Sequence, residues 1–293
     1  MVIVMFHSGK ELPVFLEYTF KQIRIFNPDV TIYFLTDCTF LCNPIFGKYN
    51  VLPILKNNYH SNKITQLESL YNHTSYDFWT ITMTRLIYIE NFLQASKLKN
   101  VYHFENDVLL YYDLNVYHRL FTNLYKTLSI TTGGPDKAMT GFMFIKTWRA
   151  LASMTQFFID TLHKYGVKGT MAMYRMDMVN EMTLMRAYGK EKSYLSNLPI
   201  LPFGEFSKHY DRFNSIFDPA SWGQFVGGTT NGIPGAKPTD HYIGQELLAH
   251  PEYTVIWKKD DKERNIPYFK FNGSEVKINN LHIHSKNLSK YMS

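Results

Sequence analysis

The chain has 293 residues, enough for one large α/β domain or for two halves sharing a cleft. With 45% hydrophobic and 19% charged residues, extensive disorder is excluded. The net charge of +6 is spread without a dense Lys/Arg run, which suits small anions such as a diphosphate and argues against a nucleic-acid-binding stripe.

The predicted elements begin at once. Val2 to Phe6 is a short apolar run fit for a buried parallel strand. It is too short for a signal h-region and lacks a basic n-region, and no apolar run approaches the ~20 residues that span a bilayer. The expectation is therefore a cytoplasmic protein without a transmembrane segment, in which a sequon such as Asn72-His73-Thr74 carries little meaning. Leu12 to Phe26 has apolar residues at helical spacing and is stopped by Asn27-Pro28-Asp29; Val30 to Leu35 is a β-branched and aromatic strand ending at Thr36-Asp37. This βαβ unit places its ligand crevice at the carboxyl ends of the strands. Cys38 and Cys42 have neither a second pair nor a His cluster for a zinc site, and are expected to be buried or half-buried thiols.

Residues 43–78 are loop-rich. Trp79 to Ser96 predicts an amphipathic helix with Leu86, Ile89, Phe92 and Leu93 on one side. Strands follow at Val101–Phe104, Leu128–Thr131 and Gly141–Ile145, with a turn at Gly133-Gly134-Pro135 and a long helix from Thr147 to His163. Asp177 to Tyr188 has a helical pattern, Tyr194 to Leu201 an extended one, and Trp222 to Gly235 is a Gly-rich loop. The tail from Val276 to His284 alternates as a strand would and runs on to Lys286. Nothing forces a domain boundary, although the character of the chain shifts near residue 146.

The chemistry centres on Glu105-Asn106-Asp107, where two acids interrupt the apolar strand that begins at Val101 and resumes at Val108. Buried carboxylates cost several kcal/mol unless paired or metal-bound. At a strand's carboxyl end they can face the crevice instead, and their oxygens suit Mg²⁺ or Mn²⁺ bridging to a diphosphate. A turn that happens to carry acids is the alternative reading. Gly9-Lys10 and Gly133-Gly134-Pro135-Asp136-Lys137 both fail the P-loop pattern and read as turns.

Strand, Glu105-Asn106-Asp107, strand, spacer and Thr140-Gly141-Phe142-Met143-Phe144-Ile145 together resemble the GT-A glycosyltransferases. The likeness extends to the opening βαβ unit and the helix carrying Thr84-Arg85-Leu86. It implies a single catalytic domain over 1–293, with a Rossmann-like mixed sheet flanked by helices. Residues 1–146 would be the nucleotide-sugar half, and 147–293 a smaller acceptor-binding part with the metal and phosphate tail. It implies Mn²⁺ or Mg²⁺ on an acidic motif in which Asp107 is the firmer ligand, because Glu105 departs from the family's Asp and reaches one methylene further. Glu105 would bind the metal through water or hold the ribose. One of His282 and His284 would complete the metal shell, with His284 the favoured one because it lies nearer to Lys286, which would clamp the leaving diphosphate. Arg85 would point at the diphosphate or the acids, while Thr140 and Gly141 line the donor-sugar pocket beside Asn106. Phe6, His7, Ser8 and Asp37 would hold base and ribose.

For the acceptor, Asp177 and Glu181 lie four apart on one face of a predicted helix. Inverting transfer needs a carboxylate to take the acceptor hydroxyl's proton, and Asp177 at the helix start is the candidate. An N-cap at Asp177 with a solvent-facing Glu181 is the alternative, and a cap can also serve as the base. Asp218-Pro219-Ala220-Ser221-Trp222-Gly223-Gln224 resembles a segment that shapes the donor and acceptor pockets in bacterial and viral relatives. There Trp222 either stacks on a sugar or plugs the core. Aromatics at 16% likewise serve the core or a sugar platform. Asp240, His241 and Glu246 are further polar candidates. The partners implied are a UDP-sugar donor, with GDP as alternative, and a carbohydrate or glycoconjugate acceptor, without nucleic acid. A sugar-nucleotide nucleotidyltransferase is the enzymatic rival, although Phe6 to Lys10 supplies only one glycine for a triphosphate grip. A binding module of the same fold without turnover is the other rival.

Overall fold

The computed structural model describes residues 1–71, 77–134, 137–227 and 254–293. The sequon at Asn72, the Pro135-Asp136 part of the expected turn, the Gly-rich stretch after residue 227, and Asp240, His241 and Glu246 lie outside the described residues.

β1 (Val2–Phe6), α1 (Leu16–Phe26) and β2 (Thr31–Thr36) make the opening βαβ unit, with β1 and β2 parallel. Leu16, Phe20 and Ile23 give α1 one fully buried face, and its end is closed by the Asn27 N–H on the Ile23 carbonyl, just before Pro28. The chain continues through α2 (Pro44–Lys48), β3 (Val51–Leu55), α3 (Asn62–Tyr71), α4 (Asp77–Ser96), β4 (Lys99–Phe104) and β5 (Val108–Leu110). After α5 (Leu114–Leu124) come β6 (Leu128–Gly134), β7 (Lys137–Thr147), α6 (Trp148–Tyr174), α7 (Glu181–Lys192) and β8 (Leu195–Asn197). The remainder holds α8 (Tyr210–Phe213), β9 (Ser215–Ile216), α9 (Trp222–Gly227), β10 (Thr254–Lys259), β11 (Asn265–Phe271), β12 (Ser274–Ile278) and β13 (Asn280–His282).

Seven strands form a mixed sheet in the order β3-β2-β1-β4-β7-β6-β8, in which β7 alone runs against its neighbours β4 and β6. The two-residue period of the strands divides their side chains between two cores. Val4, Phe6, Val101, Met143 and Ile145 pack under α3, α4, α6 and α7. Ile3, Met5, Tyr102, Phe104, Phe142 and Phe144 pack under α1 and α5. The sheet is therefore covered by helices on both faces, as expected. The second face is largely aromatic: Phe121 alone meets Tyr102, Phe144 and Phe213 at centroid distances of 5.2–5.3 Å. That is where much of the Tyr and Phe content goes.

A smaller sheet, β10-β11-β12-β9, carries its own core, and β13 leaves it to pair antiparallel with β5. The tail expected as one strand is thus two. The break is Asn279, whose N–H bonds Ile216 and whose carbonyl takes the Tyr111 N–H, so β12 and β13 join different sheets.

Four further expectations change. The helix expected from Asp177 starts at Glu181, because Asn180 and Thr183 close a capping box there; Asp177 lies exposed on the preceding bend and shares no helix face with Glu181. Trp222 is fully buried against Phe269, with centroids 4.7 Å apart, so it plugs the smaller core and offers no face to a sugar. Cys38 and Cys42 are exposed, because the chain leaves β2 onto a surface 3₁₀ turn. The helix expected over 147–163 reaches Tyr174 across a break at Gly166, whose φ of 62° only glycine adopts freely. Among the described residues no helix is long and apolar enough to cross a membrane.

Candidate metal centre

β4 lies between β1 and β7 and ends at Phe104, at the edge of the sheet where a parallel βαβ array opens its crevice. There Glu105-Asn106-Asp107 turns the chain: the Val108 N–H bonds the Glu105 carbonyl at 3.2 Å, and β5 then departs to pair with β13. Asn106 staples the turn to its surroundings, its amide donating to the Phe6 carbonyl at 3.1 Å and its own carbonyl accepting from the Thr19 hydroxyl. The β5–β13 register sets His282 opposite Val108, and the Ile283 N–H bonds the Asp107 carbonyl at 2.9 Å. The tail is thereby tied to the acidic turn.

Three side chains converge. His282 Nε2 is 3.1 Å from Asp107 Oδ1 and 3.4 Å from Glu105 Oε2, and one donor atom from each residue fits within a 4.8 Å cluster. Asp107 and His282 are buried and Glu105 is half-buried. The Lys286 ammonium sits on the second oxygen of Asp107. Arg85, from the middle of α4, donates from Nη2 to Glu105 Oε1 and to Thr140 Oγ1, each at 2.9 Å, and Thr140 donates to Glu105 at 2.6 Å. The guanidinium therefore addresses the acidic motif. The backbone closes the site from behind, with the Glu105 N–H on the Gly141 carbonyl at 3.2 Å. A Cβ on Gly141 would fall 2.6 Å from His282 Nδ1, so only glycine lets β7 pass the imidazole.

Burial opposes the charge of both carboxylates and is outweighed. Arg85 and His282 draw Glu105 down to about 2, and His282 with Lys286 holds Asp107 well below the usual carboxylate range. Burial lowers the His282 imidazole, but Asp107 and Glu105 more than reverse this and raise it. The two carboxylates thus face an imidazole drawn toward its charged form and an ammonium, on the side where a divalent ion would bring positive charge. Two carboxylates and one imidazole are a donor set that fits a divalent ion. His284, the closer neighbour of Lys286, stays outside the cluster: its ring lies edge-on to His282 at 4.4 Å, and burial lowers its imidazole to about 3.

A second polar group lies after β1 and β2. Asp37 accepts from the Gly9 N–H at 3.2 Å and pairs with Lys56 at 3.0 Å, while Lys56 also donates to the Ser8 hydroxyl at 2.8 Å. His7 stacks near Phe34 and meets the Glu11 carbonyl at 2.8 Å, and Phe6 is buried against Tyr88. Lys56 carries no motif and was not singled out in the sequence; no local signal would have shown that β3 delivers it to Asp37.

Glu181 is buried at the start of α7 rather than solvent-facing, and accepts from the Thr82 hydroxyl at 2.6 Å. Burial raises its carboxyl despite the opposing pull of Arg85, and the charge of Glu105 acts in the same direction as burial. Its side chain is thus bonded to α4, and the Glu105–Asp107–His282 cluster includes neither Glu181 nor Asp177 nor Trp222.

No family model matches the chain, and no curated protein matches it. Among solved structures it is similar to mouse xyloside xylosyltransferase 1 in its apo form, with a TM-score of 0.47 and 8% identity over 66% of this chain and 83% of that one. It is also similar to the galactosyltransferase LgtC in complex with donor and acceptor sugar analogues, with a TM-score of 0.37 and 14% identity over 67% and 73%. A third similarity is to the glycosyltransferase GlyE of Streptococcus pneumoniae TIGR4, with a TM-score of 0.41 and 13% identity over 67% of this chain and 45% of that one.

Proposed function

We propose that the chain is a GT-A-type glycosyltransferase that moves a sugar from a nucleoside-diphosphate sugar, UDP-linked by family resemblance, to a hydroxyl of a glycan or glycoconjugate. The observation that supports this most is the meeting of Glu105, Asp107 and His282 at the carboxyl end of the central strand β4, the first two from one turn and the third from the tail. Mn²⁺ or Mg²⁺ held by these three would neutralise the diphosphate as it leaves.

The rest is the work of the chain's own residues. Arg85 and Thr140 fix the Glu105 carboxylate, and Gly141 leaves room for the His282 ring. Lys286, already on Asp107, has its ammonium at the edge of the site, where it can pass to a phosphate oxygen and stabilise the leaving group. Ser8, Asp37 and Lys56 offer a hydroxyl, a carboxylate and an ammonium for a ribose and base. In an inverting transfer the acceptor oxygen bonds to the anomeric carbon as the carbon–phosphate-oxygen bond breaks toward the diphosphate. The hydroxyl proton passes to a carboxylate; Asp177, exposed on the bend before α7 and outside the metal cluster, would have to serve from the acceptor side. The burial of Glu181 beside Arg85 and Glu105 favours a second reading, in which transfer retains configuration and a carboxylate backs the anomeric carbon.

A screen of UDP- and GDP-sugars for release of nucleoside diphosphate, with Mn²⁺ and with EDTA, tests the reaction, and the anomeric configuration of any product separates the two mechanisms. Metal-dependent release from at least one donor is expected. Binding of nucleotide and metal without release would leave a binding module, and formation of a sugar nucleotide from a triphosphate would show the nucleotidyltransferase.

A further inference from the structure

Asp218 lies between β9 and α9 and is 1% exposed. Its carboxylate is met by four backbone N–H groups: Oδ1 accepts from Ser221 at 2.7 Å and Trp222 at 2.9 Å, and Oδ2 from Gly223 and His282, both at 2.8 Å. The first three bonds fasten the start of α9. The fourth goes to the backbone of the histidine at the metal centre. From the other side of the loop, the Asn280 side chain accepts the Asp218 N–H at 3.3 Å, so β13 is gripped at both of its ends.

Gly223 adds contact of a different kind. A Cβ there would lie 2.4 Å from the His282 carbonyl oxygen and 2.6 Å from its backbone nitrogen and carbonyl carbon. Backbone atoms cannot rotate aside as a side-chain tip can, so α9 rests flush on His282 only because residue 223 has no side chain. The strand held this way is short, three residues paired, among the described residues, only to β5. Without an outside support its backbone would be free to shift, and donor distances at a metal tolerate only about 0.2 Å.

We propose that Asp218 and Gly223 are positioning residues for the metal centre, the carboxylate and the bare Cα together fixing the His282 backbone so that its imidazole meets Glu105 and Asp107. This rests on the metal-centre reading above. A helix cap alone would need only the bonds from Ser221, Trp222 and Gly223; the bond to His282 N–H is the one the proposal turns on.

The test uses the full chain and Mn²⁺ alone, with free Mn²⁺ followed by electron paramagnetic resonance. Asp218→Asn replaces an all-acceptor group by one that presents N–H to an N–H, and should weaken Mn²⁺ binding about 10–100-fold, the range for losing an outer partner of a metal ligand. Introduced into His282→Ala, the same change should have no further effect, which a merely architectural role would not produce. Gly223→Ala should repeat the pattern and carries the test if Asp218→Asn does not fold. Unchanged Mn²⁺ affinity, or an equal loss in both backgrounds, overturns the proposal. If the wild type takes up no Mn²⁺, the metal-centre reading fails separately. The proposal is then decided in the metal-free chain by the NMR signals of the His282 ring, which must move in Asp218→Asn and overturn it if they do not.

Discussion

Replacing Gly141 by Ala adds one methyl group where β7 passes the His282 ring. The new Cβ would stand 2.6 Å from His282 Nδ1 and 3.2 Å from its Cε1, against an ordinary contact of 3.4 Å or more. One partner must give by at least 3.4 − 2.6 = 0.8 Å. β7 is held on both sides, by β4 and β6, and its residue 141 carbonyl takes the Glu105 N–H, so the strand is the stiffer partner. The imidazole moves, and it moves by several times the ~0.2 Å that metal–donor distances tolerate. Mn²⁺ affinity should fall on the order of 10–100-fold or more, with only the ~1–3 kcal/mol stability loss of an overpacked site. Calorimetric Mn²⁺ titration beside a thermal melt reads both quantities. A folded Gly141→Ala protein with wild-type Mn²⁺ affinity would refute the reasoning, because it would place the metal, if any, away from His282.

Other perturbations separate the parts of the site. Arg85→Leu removes two hydrogen bonds and the counter-charge of Glu105, and should cost on the order of 1–3 kcal/mol in urea unfolding; an unchanged midpoint would show that the pair contributes nothing. Trp222→Ala empties a core position and should lose about 3–5 kcal/mol, whereas Trp222→Phe should leave nucleotide binding intact; loss of acceptor use in a stable Trp222→Phe would return the ring to the site. Burial raises the Glu181 carboxyl, so its neutral form is favoured in the fold. That contribution is present below the unfolded carboxyl's value and is lost as pH rises through the folded one. Glu181→Gln should therefore gain stability relative to wild type as pH rises above the unfolded carboxyl's value, each pH unit up to the folded one being worth about 1.4 kcal/mol. A pH-independent difference in melting temperature would contradict this.

The acidic turn was legible because it breaks a strong local rule: charged residues do not interrupt a buried strand such as Val101–Phe104 without a partner. The same holds for the opening βαβ unit and for Thr140-Gly141, where a small residue and a glycine precede a run of four apolar ones. The tail was legible in part, since alternation put His282 and His284 on one side, and their rings do touch. Which of them meets the acids depends on the β5–β13 register, a pairing between distant segments that no local pattern encodes. Asp177 was placed on a helix because the apolar spacing runs through it, but the Asn180–Thr183 capping box takes precedence and starts α7 later. Trp222, followed by Gly223 in a Gly-rich stretch, fits an exposed loop and a core plug equally well, and only the packing of β11 behind it settles the matter. Asp218 speaks almost entirely to backbone groups, so residue identity gives no hint of its partners.

The most direct test of a metal-dependent nucleotide site is calorimetric titration of UDP into the wild type and Asp107→Ala, with and without Mn²⁺. UDP binding that requires Mn²⁺ and disappears in Asp107→Ala is the expected result. Failure of both UDP and GDP to bind the wild type with Mn²⁺ present, or binding that Asp107→Ala leaves unchanged, would contradict the glycosyltransferase reading.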